Sequence, residues 1–169
     1  MKKAVVIAWA CLLTCQCGYH LSGTGSSLPS HIDTVNIPMF KNMTTRFELD
    51  RKLTQGVINE LVARGKVDVG SDEDSADAIL IGEIKSFRVV PIAFSQEASA
   101  DRYNIIIVAN IVMRDNVNKK VIYANPNLVF QQEYDVPEGS DFESVESEAI
   151  DVVVEKFARS LVSTILEGF

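Results

Sequence analysis

From Leu49 onward apolar residues return at every fourth position: Leu49, Leu53, Val57 and Leu61, with Ile58 and Val62 beside them. That period predicts one amphipathic helix from about Phe47 to Arg64, with Lys52, Gln55, Asn59 and Glu60 mostly on its solvent side. Thr45 and Glu48 fit a capping box at its start, and Gly65 fits a stop at its end. A second stripe, Val145, Ala149, Val152, Val153, Phe157, Leu161 and Ile165, predicts a helix running almost to the C-terminus, with Ser140 and Glu143 as its capping box. Between the helices the period changes to two. Tyr103, Ile105, Ile107, Ala109, Ile111 and Met113 mark one face of a strand, and Ile106, Val108 and Val112 mark the other. A run apolar on both faces predicts a central strand covered on both sides.

The weaker patterns fill in the rest. Ile32, Val35 and Ile37 predict a short first strand that ends at Pro38, at a sheet edge because proline cannot donate to a ladder. Lys41 to Thr44 reads as a loop, and Ala78 to Phe87 as a strand carrying Ile79, Leu80, Ile81 and Ile84. Asp115 to Lys120 reads as a hairpin turn. Val121 to Tyr123 resumes the sheet, Asn125-Pro126-Asn127 interrupts it, and Leu128 to Tyr134 continues it. The order strand, helix, three-strand meander, helix predicts an α+β two-layer sandwich. Its two helices pack on one face of a small mixed sheet of about four strands. There are no internal repeats.

The first stretch has a different character. Met1-Lys2-Lys3 precedes an apolar run from Ala4 to Leu13, and Thr14-Cys15-Gln16-Cys17 follows. A basic start and a short apolar run form a secretory signal. A bilayer-spanning helix needs roughly 20 apolar residues, so this run is too short for one. A cysteine at the end of such a run is what a bacterial lipoprotein acylates. Cys15 has the apolar Leu12-Leu13 and the small Thr14 before it. Cys17 has Gln16, bulky for a position that prefers Gly, Ala or Ser. Local pattern leaves both open, beside a plain cleaved signal with incidental cysteines. The Gly/Ser-rich stretch Thr24 to Ser30 reads as a tether.

The formal net charge is −7, and loss of Lys2 and Lys3 with the signal makes it more negative still. Such a surface argues against nucleic acid as a partner, because that binding rests on Lys and Arg neutralising phosphates. The two histidines, His20 and His31, lie in or beside the tether, so neither a triad nor a metal-ligand cluster can be assembled from the folded part. No phosphate-binding glycine loop is present. Asp72, Glu73, Asp74 and Asp77 lack the spacing and the glycine bend of a calcium loop and read as an acidic surface turn. Catalytic and metal sites and cofactors are therefore expected to be absent, which leaves a binding or assembly role.

The connection Ser86 to Arg102 draws attention. Phe87, Val90, Ile92 and Phe94 show no clear period in what reads as a loop, where water is the usual neighbour. One reading extends the preceding strand through Val90 and leaves the tip disordered. The other makes a contact surface of Lys85, Arg88, Ile92, Phe94 and Arg102, the densest cations of an acidic domain beside exposed apolar groups. Lys119 and Lys120 form a competing cationic turn without apolar company.

The segments Cys17-Gly18-Tyr19-His20-Leu21-Ser22-Gly23 and Ile32-Asp33-Thr34-Val35-Asn36-Ile37-Pro38-Met39-Phe40-Lys41-Asn42 resemble the start of the LptE lipopolysaccharide-assembly lipoproteins. The helix through Leu61-Val62-Ala63-Arg64-Gly65 and the order of elements are similar too. The resemblance places acylation on Cys17, since Cys-Gly-aromatic opens the mature family protein. It implies residues 1–16 as lipoprotein signal, 17–30 as acylated N-terminus and tether, and 31–169 as one domain. It further implies an outer-membrane lipoprotein facing the periplasm and anchored in the inner leaflet by acyl chains such as palmitate. Its expected partners are the β-barrel translocon LptD, which it plugs and helps assemble, and lipopolysaccharide, which it helps insert in the outer leaflet. The alternative expectation is an adaptor or chaperone for another envelope component.

Overall fold

The structure, a computed structural model, describes residues 27–94, 100–137 and 139–168. The signal, Cys15, Cys17 and the first part of the tether lie outside the described residues. Six strands and two helices follow in the order β1 (Thr34–Asn36), β2 (Lys41–Asn42), α1 (Leu49–Arg64), β3 (Asp68–Gly70), β4 (Ala78–Phe94), β5 (Ala100–Asp115), β6 (Lys120–Asp135) and α2 (Phe142–Glu167). The sheet runs β3-β1-β4-β5-β6, and β2 pairs with β4 farther along the same edge as β1. It is mixed. β1 is parallel to β3 and to β4, and β2 is parallel to β4, whereas β4, β5 and β6 form an antiparallel meander. The α+β sandwich with two helices on one face is as the sequence predicts, but the sheet has six strands rather than about four. The extra ones are the short parallel β2 and β3, whose two and three residues carry no readable period.

The inward row of β5 (Ile105, Ile107, Ala109, Ile111, Met113) is fully buried and lies opposite Val89, Phe87, Ile84, Gly82 and Leu80 of β4. Leu49, Leu53, Val57 and Leu61 of α1 cover this layer, together with Ala149, Val153, Phe157, Leu161 and Ile165 of α2. The helices run side by side in the same sense: Arg46 pairs with Glu146, Lys52 with Asp151, and Arg64 with Glu167. Gly82 lets the Phe40 ring lie flat against β4, since a Cβ there would come within 2.6 Å of three ring carbons.

Several expectations give way to geometry. β1 is interior, flanked by β3 and β4, and Pro38 lies between strands rather than ending an edge strand. Lys41–Asn42, expected as loop, pairs with Glu83 and Ile84. The Thr45 capping box does not form, because Asn42 braces the preceding turn by bonding Thr44 and the Arg46 carbonyl. The helix instead starts after Glu48, in left-handed conformation (φ 56°), with no side-chain cap. Gly65 does end α1, at φ 60°, its N–H reaching the Leu61 and Val62 carbonyls. Val62 itself is exposed. At α2 the cap is Asp141, whose carboxylate accepts from the Ser144 N–H, rather than Ser140. Asn125-Pro126-Asn127 does not interrupt β6. Ala109 pairs with Leu128 and Ile111 with Asn125, so the extra residue forms a bulge on an edge strand, where proline is tolerated. The tether does not reach Ser30: the Ser27 N–H bonds the Leu166 carbonyl, and Leu28 is in the core. Finally, helices cover β5 on one side only. Ile106, Val108 and Val112 face outward and are half-buried by their neighbours in the sheet.

Candidate functional site

Ser86 to Arg102 is not an irregular connection. β4 continues to Phe94 and β5 begins at Ala100, so most of the segment forms two paired arms of a long hairpin, longer than the reading that stopped at Val90. Helical cover ends near the rung that pairs Pro91 with Tyr103, where Phe142, the first residue of α2, packs its ring 4.6 Å from that of Tyr103. Beyond that rung the arms run past the helices. This explains why Ile92 is 44 % and Phe94 63 % exposed while Val89 and Phe87 touch the core. From Ser86 to Phe94 the outer edge of β4 has no strand partner among the described residues. Pro91 and register shifts at Pro91/Ala93 and Ala93/Phe94 break its regularity, as edge strands commonly do.

The expected cations divide. Lys85 Nζ bonds the Pro126 carbonyl (2.8 Å) and Asn127 Oδ1 (3.1 Å), which fastens the β6 bulge and makes Lys85 a structural residue. Arg102 lies on the open face with its Nε 2.5 Å from Asp135 and Nη1 3.8 Å from Glu133. Hydrogen bonding to Asp135, then its charge and that of Glu133, raises the guanidinium pKa further. Its ion-pair partners among the described residues are thus on β6, and the neighbouring Asp101 raises the pKa as well. Arg88 pairs across the sheet with Ile106, on the open face, and makes no ion pair among the described residues. Ile106 and Arg102 are four residues apart on β5, so Arg88 and Arg102 stand about 13 Å apart along the strand direction.

Sequence reasoning missed a neighbouring patch. Met39, Met43 and Phe47 are 65 %, 58 % and 89 % exposed around the β2–α1 turn. They are rigidly presented: Asn42 braces the turn, and Arg46 pairs with Glu146 at 2.8 Å with its guanidinium 5.4 Å from the centre of the Phe87 ring. Phe87 belongs to the hairpin, so patch and arms share one end of the molecule. Three solvent-exposed apolar side chains within nine residues were the available signal, obscured by reading Phe47 as helix.

The opposite end holds the β5–β6 turn. The Asp115 carboxylate accepts from the Val117 and Asn118 N–H groups and from Asn118 Nδ2, and lies 2.8 Å from His31 Nε2. Burial alone pushes this carboxyl up, but the bonds from Asn118 and the contact with His31 outweigh it and hold the pKa at about 2, against an ordinary 3.8. Asp77, read as part of a surface turn, bonds Thr34 through N–H and hydroxyl and the Asp33 N–H, which lowers its pKa. Lys119 and Lys120 do have apolar company: with Arg114 they line a hollow of about 490 Å³ floored by Ile79, Ile81 and Val121. Among the described residues no group of His, Cys, Asp or Glu is placed to hold a metal, and no helix is long and apolar enough to cross a membrane.

Comparison with known proteins gives these features a family. The model of the LptE lipopolysaccharide-assembly family matches residues 32–165. The chain belongs to the LptE family. LptE proteins are non-enzymatic lipopolysaccharide-assembly lipoproteins, so the chain is an envelope lipoprotein of that system and not an enzyme. Family membership implies association with LptD and lipopolysaccharide. No curated protein matches. A hypothetical protein from Chlamydia trachomatis has the same fold at 11 % identity, with a TM-score of 0.57 over 80 % of this chain and 96 % of that one. Rare lipoprotein B from Shewanella oneidensis aligns at 11 % identity over 78 % and 89 % of the two chains, with a TM-score of 0.47. Lipoprotein B from Nitrosomonas europaea aligns at 11 % over 86 % and 91 %, with a TM-score of 0.49.

Proposed function

We propose that this LptE-family chain plugs the lumen of an LptD-like β-barrel, assists its assembly and takes part in inserting lipopolysaccharide into the outer leaflet. It would act from the periplasmic side of the outer membrane, held there by acylated Cys17. The observation that carries the reading is the hairpin end. Ile92 and Phe94 stand beyond helical cover, farther along β4 than Arg88, which has no ion pair among the described residues, and than Phe87, where the exposed Met39–Met43–Phe47 turn meets the hairpin. Covering such apolar area contributes roughly 25 cal/mol per Å² before ordering costs. The contacts divide by chemistry: a barrel wall or acyl chain covers Ile92 and Phe94, while a phosphate engages Arg88, whose guanidinium can grip it with two parallel bonds. At about 13 Å apart, Arg88 and Arg102 suit two separate anionic groups better than one. Arg102 would have to exchange Asp135 for the ligand. An exposed ion pair is worth only about 0–1 kcal/mol, so the exchange is accessible.

The test uses folded variants of the full chain: Arg88→Ala with Arg102→Ala, and Ile92→Ser with Phe94→Ser. The arginine pair should weaken lipopolysaccharide binding while barrel co-purification persists, and the apolar pair should reduce barrel co-purification. Wild-type behaviour of both variants in both assays would rule out the hairpin end. Purification of a different envelope component in place of a barrel would favour the adaptor reading.

A further inference from the structure

The end of the sandwich opposite the hairpin has chemistry that the barrel-plug reading does not use. Arg114, Lys119 and Lys120 converge on the 490 Å³ hollow, and none of them makes an ion pair among the described residues. In a chain of net charge −7, three such cations around one concavity stand out. The floor is apolar: Ile81 is 39 % and Val121 58 % exposed, beside buried Ile79. The walls are rigid. Asp115 bonds the turn from within, and Asn116 ties it to the 71–77 segment through the Glu73, Ala76 and Asp77 carbonyls.

The position of this hollow relative to the anchor-bearing segment is the second observation. Ser27 is fastened beside the C-terminus of α2, and His31 touches Asp115 and Asn118 of the turn. Four residues span at most about 14 Å, so the chain enters the described fold at this same end. Cys17 lies ten residues before Ser27, a reach of at most about 36 Å. The end that carries the hollow is therefore the one tied closest to an acyl anchor on Cys17.

We propose that this hollow binds the anionic headgroup of a phospholipid in the leaflet that holds the anchor. The phosphodiester sits against Arg114, Lys119 and Lys120, and the glycerol and first methylenes lie on Ile81 and Val121. Glu73 and Asp115 also line the hollow, Asp115 turned to His31 and the turn N–H groups, so attraction comes from direct pairing with the three cations rather than from a broad positive field. The contact would orient the domain on the membrane and leave the hairpin end free for its partner. The inference rests on the anchored-lipoprotein reading for its orientation but not on the barrel partner.

The experiment titrates the purified full chain, in neutral detergent, with dihexanoyl-phosphatidylglycerol, dihexanoyl-phosphatidylcholine and inorganic phosphate, following the backbone amide resonances of residues 112–122. Each cation near an anionic lipid is worth about a fivefold change in affinity. Allowing for Glu73 and Asp115, the triple variant Arg114→Gln, Lys119→Gln, Lys120→Gln should bind phosphatidylglycerol at least about tenfold more weakly. Val121→Ser should weaken it by a smaller factor, and both variants should melt like wild type. Equal affinity for the two lipids, or no loss in the triple variant, would overturn the proposal. So would inorganic phosphate binding as tightly as phosphatidylglycerol, which would make the hollow a simple anion site. Mass analysis of the mature N-terminus reads the anchor separately, so failure of the hollow and failure of the anchor are distinguishable.

Discussion

Phe157→Ala and Phe47→Ala make the same chemical change in two environments. Phe157 is 1 % exposed at the centre of the α2 stripe, and its ring meets that of Phe130 edge-on, with centroids 5.7 Å apart and planes at 87°. Phe47 is 89 % exposed at the entrance to α1. Truncating a buried phenylalanine removes its transfer free energy and leaves a cavity that the neighbours fill only in part, a cost of about 3–5 kcal/mol. For a domain of this size, 1 kcal/mol moves the melting midpoint by roughly 2–4 °C, so Phe157→Ala should lower it by about 6–20 °C. Phe47→Ala should stay within about 0.5 kcal/mol of wild type. Differential scanning calorimetry of the full chain in detergent reads both. A shift below about 3 °C for Phe157→Ala would mean that the α2 stripe does not face the sheet. Equal shifts in the two variants would refute the burial argument altogether.

Other perturbations probe separate joints. Gly82→Ala pushes a methyl into the Phe40 ring and should cost about 1–3 kcal/mol in urea denaturation, with partial recovery when Phe40→Leu is added. The Asp115 carboxyl has a folded pKa of about 2, below its ordinary 3.8. Its contribution is thus fully present above about pH 4 and lost as pH falls from 4 toward 2. Asp115→Asn should flatten that part of a plot of melting midpoint against pH, and an unchanged slope would show that the bonds to Asn118 and His31 do not act as described. Mass analysis of the mature protein should find a lipid-modified N-terminal Cys17. Lipid on Cys15, or an unmodified N-terminus, would contradict that assignment.

The parts of this fold that were legible in the sequence are those whose period repeats often enough to count. The α2 stripe gave up Ala149, Val153, Phe157, Leu161 and Ile165 as core, and the alternation in β5 gave up its inward row. Gly65 marked the end of α1 because a left-handed stop favours glycine. What stayed hidden depends on distant partners. β3 offers only Val69 between Asp68 and Gly70, and it is a strand because β1 lies beside it. The hairpin arms carry Pro91 and three register shifts, which erase the period of two through the very residues taken for a loop. Composition marks Arg88, Ile92, Phe94 and Arg102 as candidates, but the bonds of Lys85 to the β6 bulge join residues 41 and 42 positions apart and have no local signature. His31 and Asp115 are 84 residues apart and had no local signature to connect them. The apolar neighbours of the cationic turn are hidden for the same reason, since Ile79 and Ile81 arrive from another strand.

The central claim is that the hairpin end faces a β-barrel partner in the envelope. Its most direct test places a photo-crosslinking amino acid at Phe94 in living cells, with a second at Val62 on the exposed side of α1 as reference. The account predicts an adduct at position 94 whose mass and peptides identify an LptD-like barrel, with little or none at position 62. A barrel adduct at 62 and none at 94, or adducts at 94 with some other envelope protein only, would contradict it.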